Sequence, residues 1–299
     1  MRSVGGIYCM GTSFDIVAYG SQRERLESAI ADALGEAKRL DGLLSNYRPE
    51  SELSRVNRLG SRGPMTLSSE LFQFLSACRA YSRSSEGTFD VTVGPLVRAW
   101  GFYKGTGQLP QREEVMRALD KVAYTNIILD EQNMTVCLAK EGVELDPGGI
   151  GKGFAVDKMV EILKYEEIYS ALIIAGGSTI YALGTPPNEP GWKVTIKDPR
   201  QPSKVAETLT LKNEAVSTSG NLEKFFWADG KIWGHIIDPR TGYPAIGTLS
   251  VSVIAPRSVD SEAWTKPYYI LGRVWTEKHK QDKFRVYYCE DLASSCAWL

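Results

Sequence analysis

From residue 171 to residue 256 the chain is a succession of short β-type segments: ALIIAGGSTIYALG, WKVTIKDP, VAETLTLK, EAVSTSG, KIWGHII and TLSVSVIAP. Each is cut by glycine, proline, asparagine or aspartate, the residues that end strands and make turns. The first half reads differently. Residues 7–19 read as a strand, and 22–44 then carry Leu26, Ala29, Ile30, Ala33, Leu34, Ala37, Leu40, Leu43 and Leu44 at helical spacing. Ser68 and Ser69 can cap a second helix that runs to about Ser82, with Leu71, Phe74, Leu75 and Cys78 on one face. A third helix is expected near 111–120, after Pro110, and strands at 126–129, 134–138 and 143–145. GKGFAVDKMVEILKY opens a helix around Gly153, and SEAWTKPYYILG begins another, with Pro267 expected in its first turn. The fold class is therefore α+β with a β-rich second half. No linker or repeat divides residues 1–299, so a single compact unit is expected.

Composition narrows the partners. With 43% hydrophobic residues the chain can bury a sizeable core. A net charge of −1 without a lysine- or arginine-rich block argues against nucleic acid or an anionic membrane surface as main partner. The longest apolar stretches, such as ALIIAGG at 171–177, are too short to span a bilayer. The five cysteines (Cys9, Cys78, Cys137, Cys289 and Cys296) form no CxxC pair and are odd in number, unlike a zinc site or a disulfide framework. Cys289 and Cys296 can pair in an oxidising compartment or stay as two free thiols. The opening MRSVGGIYCMGTSFD has no secretory apolar stretch, which fits a cytoplasmic protein or one whose leader has been removed.

Five segments can carry chemistry. GHIIDPRTGYPA, 234–245, holds one of only two histidines, placed where a β-type run meets a turn. A rigidly held histidine facing a cleft suits a general base, and an incidental histidine beside a surface turn is the plain alternative. In LDPGGIGKGFAVDK, 145–158, the glycines precede a helix, so their amides can cradle phosphate or simply make a turn. The segment is neither a Walker A loop nor GxGxxG. EGTFDVTVGPLVRAWGF, 86–102, sets Asp90 beside a bend among Phe89, Trp100 and Phe102, as an aromatic slot or a packed core edge. AVSTSGNLEKFF, 215–226, offers the hydroxyls of Ser217, Thr218 and Ser219, then Gly220 and Asn221, as a phosphate site or a hydroxyl-rich turn. In VDSEAWTKPYYILG, 259–272, Glu262 and Lys266 stand four apart, the spacing of an ordinary helical ion pair.

The order of these segments is more specific than any one of them. MGTSFD, LSNYRPESELSRVN, GTFDVTVGPLVRAWGF, LDPGGIGKGFAVD, AGGSTIYALG, STSGNLEKFF, HIIDPRTGYPA and SEAW together resemble the FAD:protein FMN transferases, the ApbE family, from about Cys9 to about Gly272. Residues 273–299 lie beyond the resemblance, and His279 sits there in a charged, solvated-looking stretch. The resemblance implies a T-fold-like core with FAD in a cleft and a Mg²⁺-dependent reaction. FAD is split at its pyrophosphate, FMN passes to a Thr or Ser hydroxyl of an acceptor flavoprotein, and AMP leaves. It implies His235 as the base, and Met10, Tyr47, Thr88, Phe89, Asp90, Gly148, Phe154 and Ile237 along FAD. Lys152 and the amides of 148–153 would meet the phosphates, with Thr218 and Arg240 as further neighbours.

The metal ligands it implies are the carbonyls of Gly151 and Thr265, an aspartate matched here by Glu262, and a threonine hydroxyl matched here by Lys266. An ammonium has no lone pair and cannot ligate Mg²⁺. The resemblance thus implies a transferase with an altered metal shell; a flavin carrier that has lost transfer and an FAD pyrophosphatase giving FMN and AMP are the alternatives. Relatives of this kind usually act on exported or membrane-bound flavoproteins, so the resemblance implies a periplasmic or otherwise exported protein, with the cytoplasm as the alternative.

Overall fold

The computed structural model describes residues 1–103, 105–220, 224–291 and 295–299. Strands β1 (Arg2–Cys9) and β2 (Thr12–Tyr19) form a hairpin where the sequence suggested one strand over 7–19. Met10 and Gly11 both take positive φ (50° and 74°), as a two-residue hairpin turn requires. Helix α1 (Arg23–Leu44) follows, then α2 (Glu52–Leu59), β3 (Met65–Thr66) and α3 (Ser69–Ser84), whose first turn Ser68 caps by accepting from the Leu71 N–H. Next come α4 (Gly94–Ala99), α5 (Arg112–Leu119), β4 (Ile127–Asp130), β5 (Thr135–Leu138) and α6 (Gly151–Tyr165). Residues 143–145 make no strand; only an isolated bridge joins Val93 to Glu144.

The expected β-rich half follows as β6 (Ala171–Ala175), β7 (Thr179–Leu183), β8 (Trp192–Lys197), β9 (Val205–Leu211) and β10 (Glu214–Gly220). It continues through β11 (Phe225–Ala228), β12 (Lys231–Gly234), β13 (Thr248–Ala255), α7 (Ser258–His279), β14 (Arg285–Glu290) and β15 (Ala297–Trp298). One antiparallel sheet runs in the order β1-β2-β6-β7-β10-β13-β14-β15 and so unites residues from both ends of the chain, including the stretch after 272. A disulfide joins Cys289 to Cys296 across β14 and β15, which decides between the two states left open for them.

Alternation sets the layers. In β2, Phe14, Ile16 and Ala18 point to one face and pack with Leu26, Ala29, Ile30, Ala33 and Ala37 of α1 and with Ala155, Val156 and Met159 of α6. The opposite face, through Val17, Leu172, Ala182, Val216 and Ile254, lies under Trp192, Val194 and Ile196 of the β8–β9 ribbon. Helix α7 begins earlier than the sequence suggested, so Pro267 lies in its interior. The reason is a cap from another element: the Asp157 carboxylate of α6 accepts from the N–H groups of Ser258 (2.7 Å) and Val259 (3.1 Å). Gly272, at φ 82°, breaks α7 into two pieces.

Candidate functional site

A cleft of about 690 Å³ opens where the β1–β2 turn, the end of α1, the 88–93 segment, the start of α6, β10, the 235–239 segment and α7 converge. That size suits a cofactor. Its floor is the turn before α6. Asn57 of α2 clamps the approach to it, donating to the Leu145 carbonyl (3.0 Å) and accepting from the Leu145 N–H (2.8 Å). Asp146 then accepts from the Gly148 N–H (2.8 Å), and burial pushes its carboxyl above the usual range. Gly153 gives α6 and α7 their close approach: a Cβ there would stand 2.5 Å from the Ser258 carbonyl oxygen.

Three of the six amides of 148–153, expected to meet phosphate, are committed inside the protein. Gly148 donates to Asp146, Ile150 to the Pro147 carbonyl, and Gly153 to Glu262 Oε2 at 2.5 Å. The hydroxyls of β10 are committed too, and they lie on a strand rather than in a turn. Ser217 pairs with Ser261, Thr218 with Ser252 and Ser219 with Thr265, each at 2.7 Å, which fastens β10 to α7 and to its neighbour β13. Asn221 lies outside the described residues.

Positive charge in the cleft comes instead from side chains. Lys152 Nζ stands 2.6 Å from Glu262 Oε1. Lys266 Nζ donates to the Glu262 backbone carbonyl at 3.0 Å. Glu262 is 2% exposed. Burial alone would raise its pKa, but the Lys152 and Lys266 ammoniums and the Gly153 N–H outweigh it and hold the carboxyl below the usual range. The donor set implied for a divalent ion does not fit one. One Glu262 oxygen meets an ammonium and the other an amide N–H, and Lys266 stands where a hydroxyl ligand is implied. A hard cation needs near-octahedral oxygen donors at about 2.1 Å, and an ammonium holds that place.

His235 follows directly on β12. Its N–H donates to the Lys224 carbonyl (3.1 Å), and its Nδ1 lies 3.2 Å from the same oxygen. A carbonyl only accepts, so this contact selects the Nδ1–H tautomer and leaves a lone pair on Nε2. Burial, then the nearby Lys266, Lys224 and Lys152 charges, lowers its pKa to about 4, against a stabilising contact to the Lys224 carbonyl. The imidazole is neutral at pH 7 and able to take a proton. The DPRTG turn behind it is locked. Gly242 (φ 81°) donates to the Asp238 carbonyl (2.9 Å), its own carbonyl accepts from Trp100 Nε1 (2.8 Å), and Ala245 donates to Ile236 (2.9 Å).

Of the other residues singled out in the sequence, Met10, Tyr47, Thr88, Phe89, Asp90, Gly148, Gly151, Thr218, Ile237 and Thr265 line the cleft. Tyr47, half-exposed, stacks on Tyr103 at 4.6 Å and forms an aromatic wall. The Thr88 hydroxyl donates to the Ser85 carbonyl (2.6 Å), and the Asp90 carboxylate accepts from the N–H and hydroxyl of Thr92. Two residues depart from expectation. Phe154 does not line the cleft, because its ring packs edge-on to Phe74 at 5.2 Å between two cores. Arg240 also lies off the cleft lining, held by both oxygens of Asp238 (3.0 and 2.9 Å). His279 stacks on Trp275 at 4.3 Å, near the end of α7.

The model of the ApbE family matches residues 10–286, beyond the end suggested by the motifs. An FAD:protein FMN transferase of Klebsiella pneumoniae is 33% identical over 265 residues, 88% of this chain and 80% of that protein. One of Treponema pallidum is 31% identical over 262 residues, 83% of this chain and 72% of that protein. The crystal structure of the ApbE protein of Thermotoga maritima superposes with a TM-score of 0.90 at 29% identity, covering 100% of this chain and 96% of that one. The flavin transferase ApbE of Vibrio cholerae shares the fold at a TM-score of 0.85 and 23% identity, covering 100% of this chain and 97% of its own. By its sequence and by the fold that carries its cleft, the chain belongs to the ApbE family.

Proposed function

We propose that this chain is an FAD:protein FMN transferase that moves FMN from FAD to a Thr or Ser hydroxyl of an acceptor flavoprotein. The observation that carries the reading is His235: a neutral imidazole with a free Nε2 lone pair, held by a locked turn in a cleft that also holds Lys152 and Lys266. The acceptor oxygen attacks the phosphorus on the FMN side of the pyrophosphate, and its proton passes to Nε2 of His235. The bond from that phosphorus to the bridging oxygen breaks, and AMP leaves. The ammoniums offset the charge on the phosphate oxygens as the bridge breaks. Tyr47 and Phe89 offer aromatic surface to the rings of FAD.

The Cys289–Cys296 disulfide supports an oxidising compartment outside the cytoplasm. No helix among the described residues is long and apolar enough to cross a membrane. The test is His235→Ala with FAD and an acceptor domain. AMP release and flavin on the acceptor should fall by about a hundredfold or more, the scale of a lost general base, while FAD affinity stays within a few-fold. Transfer that survives the substitution overturns the assignment of the base. AMP formed by the wild type without labelled acceptor turns the reading toward a pyrophosphatase.

A further inference from the structure

We propose that in this chain the ammonium groups of Lys152 and Lys266 supply the positive charge that faces the pyrophosphate, so that FAD binding requires no divalent cation. The proposal rests on the flavin reading above and concerns how that same site meets phosphate. Three observations carry it. First, Glu262 presents its carboxylate to the cleft beside α7, and its oxygens meet Lys152 Nζ at 2.6 Å and the Gly153 N–H at 2.5 Å. A divalent ion would have to displace the ammonium and break the hydrogen bond that ties α6 to α7.

Second, Lys266 is directed over the glycine turn. Its Nζ reaches back one helical turn to the Glu262 carbonyl, and its Cε lies 3.3 Å from where a Cβ on Gly149 would stand. The side chain therefore crosses the floor on which a phosphate would rest. Third, the charges add up for an anion. Lys152 and Lys266 both bring an ammonium to Glu262, so positive charge stands at the cleft floor without a bound ion. This charge is built into the fold, and binding it costs no capture of an ion from solution.

The experiment uses the full chain and two readouts, FAD titration by flavin fluorescence and Mn²⁺ titration by electron paramagnetic resonance. Wild type should bind FAD with the same affinity, within about twofold, in EDTA and in excess Mg²⁺, and should leave Mn²⁺ free. Lys266→Met keeps the stem and removes the charge; its FAD affinity should fall about tenfold or more, with no recovery in Mg²⁺. Lys266→Thr should bind FAD more weakly in EDTA and, because Lys152 and the Gly153 N–H still hold both Glu262 oxygens, should not recover in Mg²⁺. Tight Mn²⁺ binding by the wild type, or Mg²⁺ that tightens its hold on FAD, overturns the proposal. A wild type that binds FAD in neither buffer refutes the flavin reading, and the manganese signal then decides the site's need for a cation by itself.

Discussion

Substituting Gly153 by alanine tests whether the site is built on rigid contact between two helices. The added methyl would lie 2.5 Å from the Ser258 carbonyl oxygen, 2.7 Å from its carbon and 2.9 Å from Val259 Cα, all backbone atoms. Carbon contacts of this kind settle at about 3.5 Å, so the start of α7 must retreat by roughly 1 Å. It cannot do so freely, because Asp157 of α6 holds the Ser258 and Val259 amides and Glu262 of α7 holds the Gly153 amide. Alanine gains about 1 kcal/mol over glycine in a helix. Overpacking costs about 1–3 kcal/mol, and straining the interhelical hydrogen bonds adds about 1–2 kcal/mol. The net expectation is a loss of about 1–4 kcal/mol.

Gly35, exposed in α1 with nothing within 4 Å of an added Cβ, supplies the control. There the helical gain stands alone, and Gly35→Ala should stabilise by about 0.5–1 kcal/mol. Urea unfolding gives both values as midpoint shifts at constant slope. The Gly153 variant should also lose FAD affinity, because the Glu262–Lys152 pair moves with α7. If Gly153→Ala proves as stable as wild type, the two helices are not in fixed contact and the site is not built on their approach.

The pH profile should follow His235. Its imidazole must be neutral to act, so kcat/KM should be flat above about pH 5.5 and fall at lower pH with a midpoint near 4, whereas a midpoint near 6.5 would contradict the burial and charge described for it. The same depressed value makes protonation favour the unfolded chain. His235 therefore contributes stability in full above about pH 6.5 and loses it as pH falls through 4, visible as a lower urea midpoint that His235→Gln abolishes. Trp100→Phe removes the 2.8 Å hydrogen bond to the Gly242 carbonyl and should cost about 1–2 kcal/mol. Since that carbonyl belongs to the turn behind His235, kcat should fall more than FAD affinity; equal losses in both would mean that the turn positions the ligand rather than the base.

The α+β class, the first long helix and the Ser68 cap are legible in the sequence because spacing and turn chemistry are local. The β1–β2 turn is not. The apolar pattern runs on through Met10, and methionine at positive φ carries no local signal. Pro267 misleads for a related reason: its expected first-turn position assumes a helix starting beside it, and the actual start is set by Asp157, 101 residues earlier in the chain. The same holds within the site. His235, Lys152 and Glu262 stand out in the sequence, yet the ion pair between the last two spans 110 positions and only the fold makes it. Phe154 sits among site residues in the chain and in the core in space, because the helix that begins at Gly151 turns its ring toward Phe74.

The lysines and the histidine form one electrostatic device. A base near three ammoniums is neutral at every working pH, but at a pKa of about 4 it is also a weak proton acceptor. Binding of the pyrophosphate changes that balance. Its negative charges offset the ammoniums that disfavour imidazolium, so the imidazole becomes more basic when the substrate that needs it arrives. Free His235 is then spared protonation, and bound His235 is strengthened for proton transfer. The two states are separable, since kcat/KM reports the free enzyme and kcat the complex. The kcat profile should have its midpoint above that of kcat/KM, and the gap should shrink in Lys266→Met, where less positive charge remains for the phosphates to offset. Coincident midpoints in the wild type would mean that the ammoniums do not act on the base through the phosphate, and that burial alone keeps His235 neutral.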